Sequence, residues 1–190
     1  MNKQIIIQGN AKRGFTLIEL LVVIAILAVL AVAVVLVLNP AELLKQGRDT
    51  TRISDLAAVN SAIALYVADV RTPTWTTTGY CTASTTFPGG TGSCTLSATT
   101  TVDGNGWIPV NFASISSGSP LARLPLDPSN SSPYYYGYKA SSTTGYFELD
   151  ANMESTKYAN GGGADVEINS RDGGDNANVY EVGSSLTVIN

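Results

Sequence analysis

Residues 12–38 read KRGFTLIELLVVIAILAVLAVAVVLVL, and this stretch determines how the rest of the chain is organised. Between Phe15 and Leu38 the only ionisable side chain is Glu19. A helix over these 24 residues would be about 36 Å long, which exceeds the roughly 30 Å hydrocarbon core of a bilayer. The stretch therefore predicts a membrane-spanning helix with one carboxylate near its start.

That carboxylate requires an explanation, because an ionisable group at the edge of a membrane segment is costly and usually functional. If the chain is cut between Gly14 and Phe15, the new α-amino group lies four residues from Glu19. A neighbouring copy of the chain would offer the same amine. The sequence therefore predicts that Glu19 pairs with a chain terminus, its own or that of a neighbour.

The segment from Gly14 to Ala25 resembles the class III signal of type IV pilins and of the pseudopilins of type II secretion. In that family a prepilin peptidase cuts after the glycine and methylates the new N-terminal residue. The resemblance implies that Gly14 and Phe15 flank the cut, that Phe15 is N-methylated, and that residues 1–14 are a removable leader. By the same resemblance, Glu19 neutralises the N-terminus of an adjacent subunit during assembly.

Two ordinary explanations compete with this interpretation. A signal anchor also places basic residues before an apolar run. A secretory signal peptide cut near Ala31-Val32-Ala33 would satisfy the small-residue rule, but the apolar run continues to Leu38, past the usual length of about 7–15 residues. Neither explains why Glu19 lies within the apolar segment.

Composition argues against several classes of function. The chain has 190 residues and a formal net charge of −4, and the leader contains three basic residues and no acid, so the processed chain carries about −7. This charge disfavours a nucleic-acid partner, since such binding depends on clustered Lys and Arg. Histidine is absent, which removes the commonest general base and transition-metal ligand. No nucleophile and base can be paired, so we expect a structural protein that requires no cofactor, not an enzyme.

The next segment predicts a second helical region with a break at its start. Pro40 removes a backbone donor and clashes with the preceding turn, so the helix should kink or restart at Asn39-Pro40. Beyond it, apolar residues recur at three- and four-residue spacings and charged residues fill much of the rest, which predicts an amphipathic helix over residues 39–69. The apolar positions are Leu43, Leu44, Ile53, Leu56, Val59, Ile63 and Val67, and the charged ones are Glu42, Lys45, Arg48, Asp49, Arg52 and Asp55.

Residues 70–190 predict a β-rich head that begins with a threonine-rich loop, residues 72–101. Cys81 and Cys94 in this loop fit an exported disulfide, although a pair of free thiols remains an alternative. Five later runs rich in aromatic or β-branched residues predict an antiparallel sheet, and Val166 with Ile168 could add a sixth strand. The five runs are Trp107–Phe112, Tyr134–Ala140, Tyr146–Asp150, Val179–Val182 and Leu186–Ile189.

An acidic, glycine-rich stretch near the C-terminus is the candidate metal site. Calcium binds carboxylates and carbonyls in loops that glycine allows to fold, and major pseudopilins have a calcium loop in the corresponding region. Asp165, Asp172 and Asp175 are the candidate ligands, although their spacing does not match that loop residue by residue. The alternative is a solvated acidic turn.

Together these features predict an α+β, pilin-like fold in which a long N-terminal hydrophobic helix packs on a small antiparallel sheet. The resemblance implies a structural subunit that waits in the inner membrane with its body outside and then enters a type IV pilus-like filament. Its partners would be prepilin peptidase, a membrane assembly platform, lipid and further copies of itself. A major pseudopilin and a tethered adhesin or minor tip subunit remain alternatives.

Overall fold

The computed structural model of the chain describes residues 14–162 and 166–189. The chain divides into two compact units, residues 1–40 and 41–190, and each is treated separately below. The leader therefore lies outside the described residues apart from Gly14, and so does Asp165.

The first unit contains helix α1, Leu17–Leu38. Every side chain of α1 is exposed, although the helix is apolar throughout except for Glu19. The helix ends at Asn39, whose backbone is left-handed (φ 39°), and Pro40 starts the next helix. A residue before proline avoids the α conformation, and asparagine tolerates the left-handed one. The predicted break at Asn39-Pro40 is thus confirmed.

Helix α2 spans Pro40–Asp69. Its predicted apolar stripe is confirmed at Leu56, Val59 and Ile63, which are fully buried. It is wrong at both ends, because Leu43 and Leu44 are more than half exposed and Val67 is 46% exposed. Two residues assigned to the charged face, Asp49 and Arg52, are instead completely buried. The prediction of an exposed charged face is therefore wrong for these two side chains. Arg52 pairs with acids far along the chain, and Asp49 accepts hydrogen bonds from distant backbone N–H groups.

One five-stranded sheet has the spatial order β2-β1-β3-β4-β5. Three of its four pairings are antiparallel, and the exception is the parallel pair of the short strands β1 and β2 within the threonine-rich loop. The arrangement is α+β, as predicted. The strands are β1, Tyr80–Cys81; β2, Thr95–Leu96; β3, Tyr136–Ala140; β4, Phe147–Ala151; and β5, Tyr180–Gly183.

Three of the five predicted β runs became strands, and two did not. The run Trp107–Phe112 buries its four large apolar side chains but is irregular, because Pro109 cannot donate a ladder hydrogen bond. The run Leu186–Ile189 forms no strand. The backbone N–H groups of Val188 and Ile189 donate to the side chain of Glu148 instead of to a neighbouring strand. The possible sixth strand, Val166 with Ile168, is a turn region.

The two faces of the sheet are both covered. On one face Phe147, Leu149 and Ala151 of β4 join the main core together with the apolar stripe of α2. The other face carries a small cluster of Cys81, Phe87, Tyr135 and Ile189. The predicted disulfide between Cys81 and Cys94 is present and lies at this second cluster. Glu148 and Asp150 alternate with these core residues along β4, so their side chains point toward the second face.

Candidate functional site

The start of α1 is built as a reciprocal cap. Thr16 is the N-cap residue, and its hydroxyl accepts a hydrogen bond from the backbone N–H of Glu19 at 3.3 Å. In return, Glu19 Oε2 accepts from the backbone N–H of Thr16 at 2.8 Å and from its hydroxyl at 2.9 Å. This arrangement satisfies two of the backbone donors that a helix start leaves unpaired. The carboxylate is thus held beside the first turn of α1.

This cap gives Glu19 a local structural role that the sequence interpretation missed. The signal was available, since Thr16-Leu17-Ile18-Glu19 has the Thr-x-x-Glu spacing of a capping box. The glutamate within the apolar segment therefore has an explanation inside its own chain. Because Glu19 Oε1 makes no hydrogen bond in the described chain, one oxygen is engaged and the other can still accept from a further donor.

The proposed cut lies in an accessible position. Gly14 and Phe15 precede α1 with non-helical backbone, and the Phe15 side chain is 86% exposed. Cleavage after Gly14 would place the amine of Phe15 one residue before the cap, while the amide N–H of Thr16 would remain. Processing at this bond and methylation of Phe15 stay predictions.

By length and composition α1 is apolar enough to cross a membrane. Its 22 residues correspond to about 33 Å, close to the roughly 30 Å of a hydrocarbon core. A helix that is apolar all round is typical of a membrane span or of the centre of a larger assembly. No side chain of α1 is buried in the structure.

A second candidate site lies on the sheet, where three acids meet on its second face. Glu148 and Asp150 alternate with the core residues of β4, and Glu181 of β5 pairs directly with Asp150. One carboxylate oxygen from each of the three lies within 4.8 Å of the other two, and all three residues are buried. We call Glu148, Asp150 and Glu181 the strand triad.

The triad is covered by two segments of the chain. Glu148 Oε2 accepts from the backbone N–H groups of Val188 at 2.6 Å and Ile189 at 2.8 Å. Glu181 Oε2 accepts from Asn176 N–H at 3.1 Å. Burial raises the pKa of Asp150 well above its ordinary value, and the charges of the other two triad carboxylates raise it further. Burial likewise raises the pKa of Glu181.

Of the three predicted calcium ligands, the structure describes Asp172 and Asp175. Asp172 uses both carboxylate oxygens locally, accepting from Gly174 N–H at 3.0 Å and Glu181 N–H at 2.7 Å. It therefore shapes the loop beside the triad. Asp175 belongs to the same loop, and Asp165 lies outside the described residues. Within residues 14–162 and 166–189, the acids whose oxygens converge as a possible cation site are the strand triad.

Arg52 forms a buried charge network that the sequence did not reveal. Its guanidinium donates to both oxygens of Asp127, at 2.6 and 3.0 Å, and to Asp49 at 2.7 Å. It also contacts Glu154 Oε1 at 2.8 Å. Asp49 in turn accepts from the backbone N–H groups of Glu154 and Ser155. The network joins α2 to two distant loops of the head, since Asp127 is 75 residues from Arg52.

Comparison with known families identifies the N-terminal segment. The prokaryotic N-terminal methylation motif matches residues 9–35, and this is the class III prepilin signal of type IV pilins and pseudopilins. The match covers about a seventh of the chain and does not reach the head. No curated protein and no solved structure gives a significant match. The signal implies a prepilin that is processed by prepilin peptidase and assembles into filaments.

Proposed function

We propose that this protein is a structural subunit of a type IV pilus-like surface filament, assembled from an inner-membrane prepilin after leader cleavage and N-methylation. The observation that carries the proposal is the combination of a prepilin signal with an apolar helix whose own chain buries none of it. The head would lie outside the membrane before assembly and on the filament surface afterwards.

The exposed surface of α1 is the main energetic argument. Seventeen large apolar side chains of α1 are at least 47% exposed. Burying one such side chain is worth about 1.5–3 kcal/mol, so leaving this helix in water would cost tens of kcal/mol. Lipid would cover α1 in the unassembled subunit, and the α1 helices of neighbouring copies would cover it in the filament. When α1 moves from lipid into the filament, its side chains therefore stay in an apolar surrounding.

Because apolar packing alone would leave the register of neighbouring helices loosely defined, a polar contact is needed to fix it. Glu19 keeps one oxygen outside the capping box, and cleavage would create a positive amine at Phe15 of each neighbour. A charge pair in an apolar surrounding contributes mainly to specificity, because desolvation offsets much of its attraction. The resulting contact joins two different surfaces, and repetition of such a contact produces a fibre.

The two roles of Glu19 can be separated by a pair of substitutions at the same cap. Thr16→Val removes the hydroxyl from the capping box and leaves the carboxylate, whereas Glu19→Gln keeps an acceptor of similar shape and removes the charge. The variants are expressed with the peptidase and assembly machinery, and sheared filaments are counted by electron microscopy. Mass spectrometry identifies the subunit in them.

We expect Thr16→Val to retain filaments and Glu19→Gln to lose at least nine-tenths of them, with both proteins present in the membrane at wild-type amounts. A cap lost from α1 costs about 1 kcal/mol, which a membrane-inserted helix tolerates. Equal filament yields from both variants would show that Glu19 is only a helix cap. Wild-type protein that is processed but never polymerises would overturn the proposed function itself.

Processing is tested by the mature N-terminus. Mass spectrometry of wild-type protein should find methylated Phe15 as the first residue, and Gly14→Val should accumulate with its leader attached. A mature chain that begins elsewhere, for example after Ala33, would contradict the assignment and favour an ordinary secretory signal.

A further inference from the structure

The strand triad buries three carboxyl groups side by side. Glu148 and Asp150 are 0% and 2% exposed, and Glu181 is 3% exposed. None of the ion pairs found among residues 14–162 and 166–189 includes any of these three carboxylates. Lys139 lies directly across from Glu148 on β3 and still makes no ion pair with it. Carboxyl groups this close and this well buried repel one another strongly whenever they are ionised.

Two oxygens of the triad also lack any hydrogen-bond donor. Glu148 Oε1 and Asp150 Oδ1 are buried and unpartnered. An unsatisfied buried acceptor costs about 1–3 kcal/mol, and more when it is charged. The other oxygen of Glu148 is held by two backbone N–H groups, which fixes the carboxylate in place. The site is therefore preorganised and short of positive charge.

The loop over the triad leaves no room for a larger side chain. A Cβ atom at Gly174 would collide with the carboxylate of Glu181. Asn176 N–H, two residues further on, donates to that same carboxylate. Backbone therefore passes directly over Glu181, which holds its oxygens against the sheet.

We propose that the strand triad binds a calcium ion, with Glu148, Asp150 and Glu181 as its protein carboxylate ligands. This inference does not depend on the filament role, because it rests on residues of the head alone. It also moves the candidate ligands from the aspartates of the glycine-rich loop to acids on two adjacent strands.

The donor chemistry and the spacing both favour calcium. All three ligands are carboxylates, and hard divalent cations prefer oxygen over the nitrogen or sulfur that zinc and copper select. Calcium–oxygen bonds are about 2.3–2.6 Å, so oxygens on opposite sides of the ion can be roughly 5 Å apart. The 4.8 Å limit of the triad fits this sphere. Magnesium demands shorter bonds and near-ideal octahedral geometry, which rigid strand positions are less able to supply.

A bound ion would tie three parts of the head together. It would bridge β4 to β5 directly. Through Glu148 it would also fix the C-terminal segment at Val188 and Ile189, and through Glu181 the loop at Gly174 and Asn176. Ile189 belongs to the small cluster on the second face, so the ion would anchor the cover of that face.

The test uses the full-length chain in detergent micelles, stripped with a chelator and desalted. Calcium binding is measured by isothermal titration calorimetry, and thermal unfolding is followed with and without 5 mM calcium chloride. We expect one ion per chain and a rise in Tm of about 5 °C or more, because a ligand that binds only the folded state stabilises it. Magnesium chloride is the parallel arm and should give a smaller shift.

Substitutions that keep shape and remove charge identify the ligands. Glu181→Gln and Asp150→Asn should abolish the calcium-dependent rise, while in chelator both variants should be at least as stable as wild type because repulsion is relieved. Glu167→Gln, which removes an acid outside the triad, is the matched control and should keep the wild-type rise.

Three results would overturn the proposal. The first is a wild-type Tm that calcium does not change, which would mean that the triad is neutralised by shared protons. The second is a rise that survives in both triad variants. The third is a rise that Asp175→Asn abolishes and the triad variants retain, which would assign the ion to the glycine-rich loop.

Discussion

Helices α1 and α2 adjoin in sequence, yet they differ in how much of each is buried. None of the 22 residues of α1 is buried, whereas α2 buries seven of its 30. The more apolar helix is the exposed one, and the helix rich in charges contributes to the core. Apolar content alone therefore does not tell whether a helix packs inside its own chain.

The difference arises from how the apolar residues are distributed. In α2 the buried apolar residues recur at three- and four-residue spacings on one side, as Leu56, Val59 and Ile63 do, so they can join the main core. The other side faces water, and there Leu65 and Val67 are 40% and 46% exposed. In α1 the apolar residues surround the helix completely, apart from Glu19 near its start. The stability of the head should therefore depend on α2, and assembly should depend on α1.

The largest predicted effect on the stability of the head is that of Arg52→Ala. The substitution would leave Asp49 and Asp127 buried without their counter-charge, and breaking a buried pair in this way costs about 3–5 kcal/mol. Chemical unfolding followed by the fluorescence of Trp75 and Trp107, both in the head, measures the loss. Arg123→Ala removes an exposed arginine and should change stability by less than about 0.5 kcal/mol. Similar stability for the two variants would show that the buried network is dispensable.

The comparison of the helices is sharpened by making the same substitution in each. Leu56→Ala in α2 removes a fully buried side chain and should cost about 2–5 kcal/mol of unfolding free energy. Leu27→Ala in α1 removes one that is 57% exposed and should leave head unfolding unchanged. The same fluorescence assay in detergent measures both. If Leu27→Ala destabilised the head as much as Leu56→Ala, the separation of the two roles would be wrong.

The sequence predicted the parts of the fold that are determined by residues close to one another in the chain. The apolar run of α1, the break at Pro40, the second half of α2 and three strands all follow from spacing or backbone chemistry within a few residues. The pair Cys81 and Cys94 is also close in sequence. The run Trp107–Phe112 was mistaken for a strand because a buried loop selects the same apolar residues, and Pro109 was the available warning.

The charged interior could not be predicted, because it depends on which distant segments meet. Arg52 and Asp127 are 75 residues apart, and each looks like an ordinary surface residue in its own segment. The triad has the same character, since Glu148 and Asp150 face Glu181 only after β4 and β5 pair. A finer examination of β4 offers a partial signal: Glu148 and Asp150 alternate with Phe147 and Leu149, so both acids must share one face of the sheet.

The smallest predicted effect concerns pH and the outer part of the Arg52 network. A bidentate hydrogen bond from Arg48, at 2.6 and 2.7 Å, lowers the pKa of Glu154 below its ordinary value of 4.5, with a further contribution from Arg52. Because the folded pKa is the lower one, Glu154 stabilises the fold above about pH 4.5, and this contribution is lost as the pH falls through the folded pKa. Arg48 is partly exposed, so the effect should be about 1 kcal/mol.

Unfolding free energies of wild type and Glu154→Gln between pH 3 and 7 test this contribution. The difference between the two proteins should be largest at pH 7 and should shrink toward pH 3, where the wild-type carboxyl is protonated as well. Glu167→Gln, outside the network, should run parallel to wild type over the whole range. A constant gap between Glu154→Gln and wild type would mean that the side chain contributes through its shape. The head would stay linked to α2 in that variant, because the bonds Arg52–Asp127, Asp55–Tyr136 and Asp69–Ser116 do not involve Glu154.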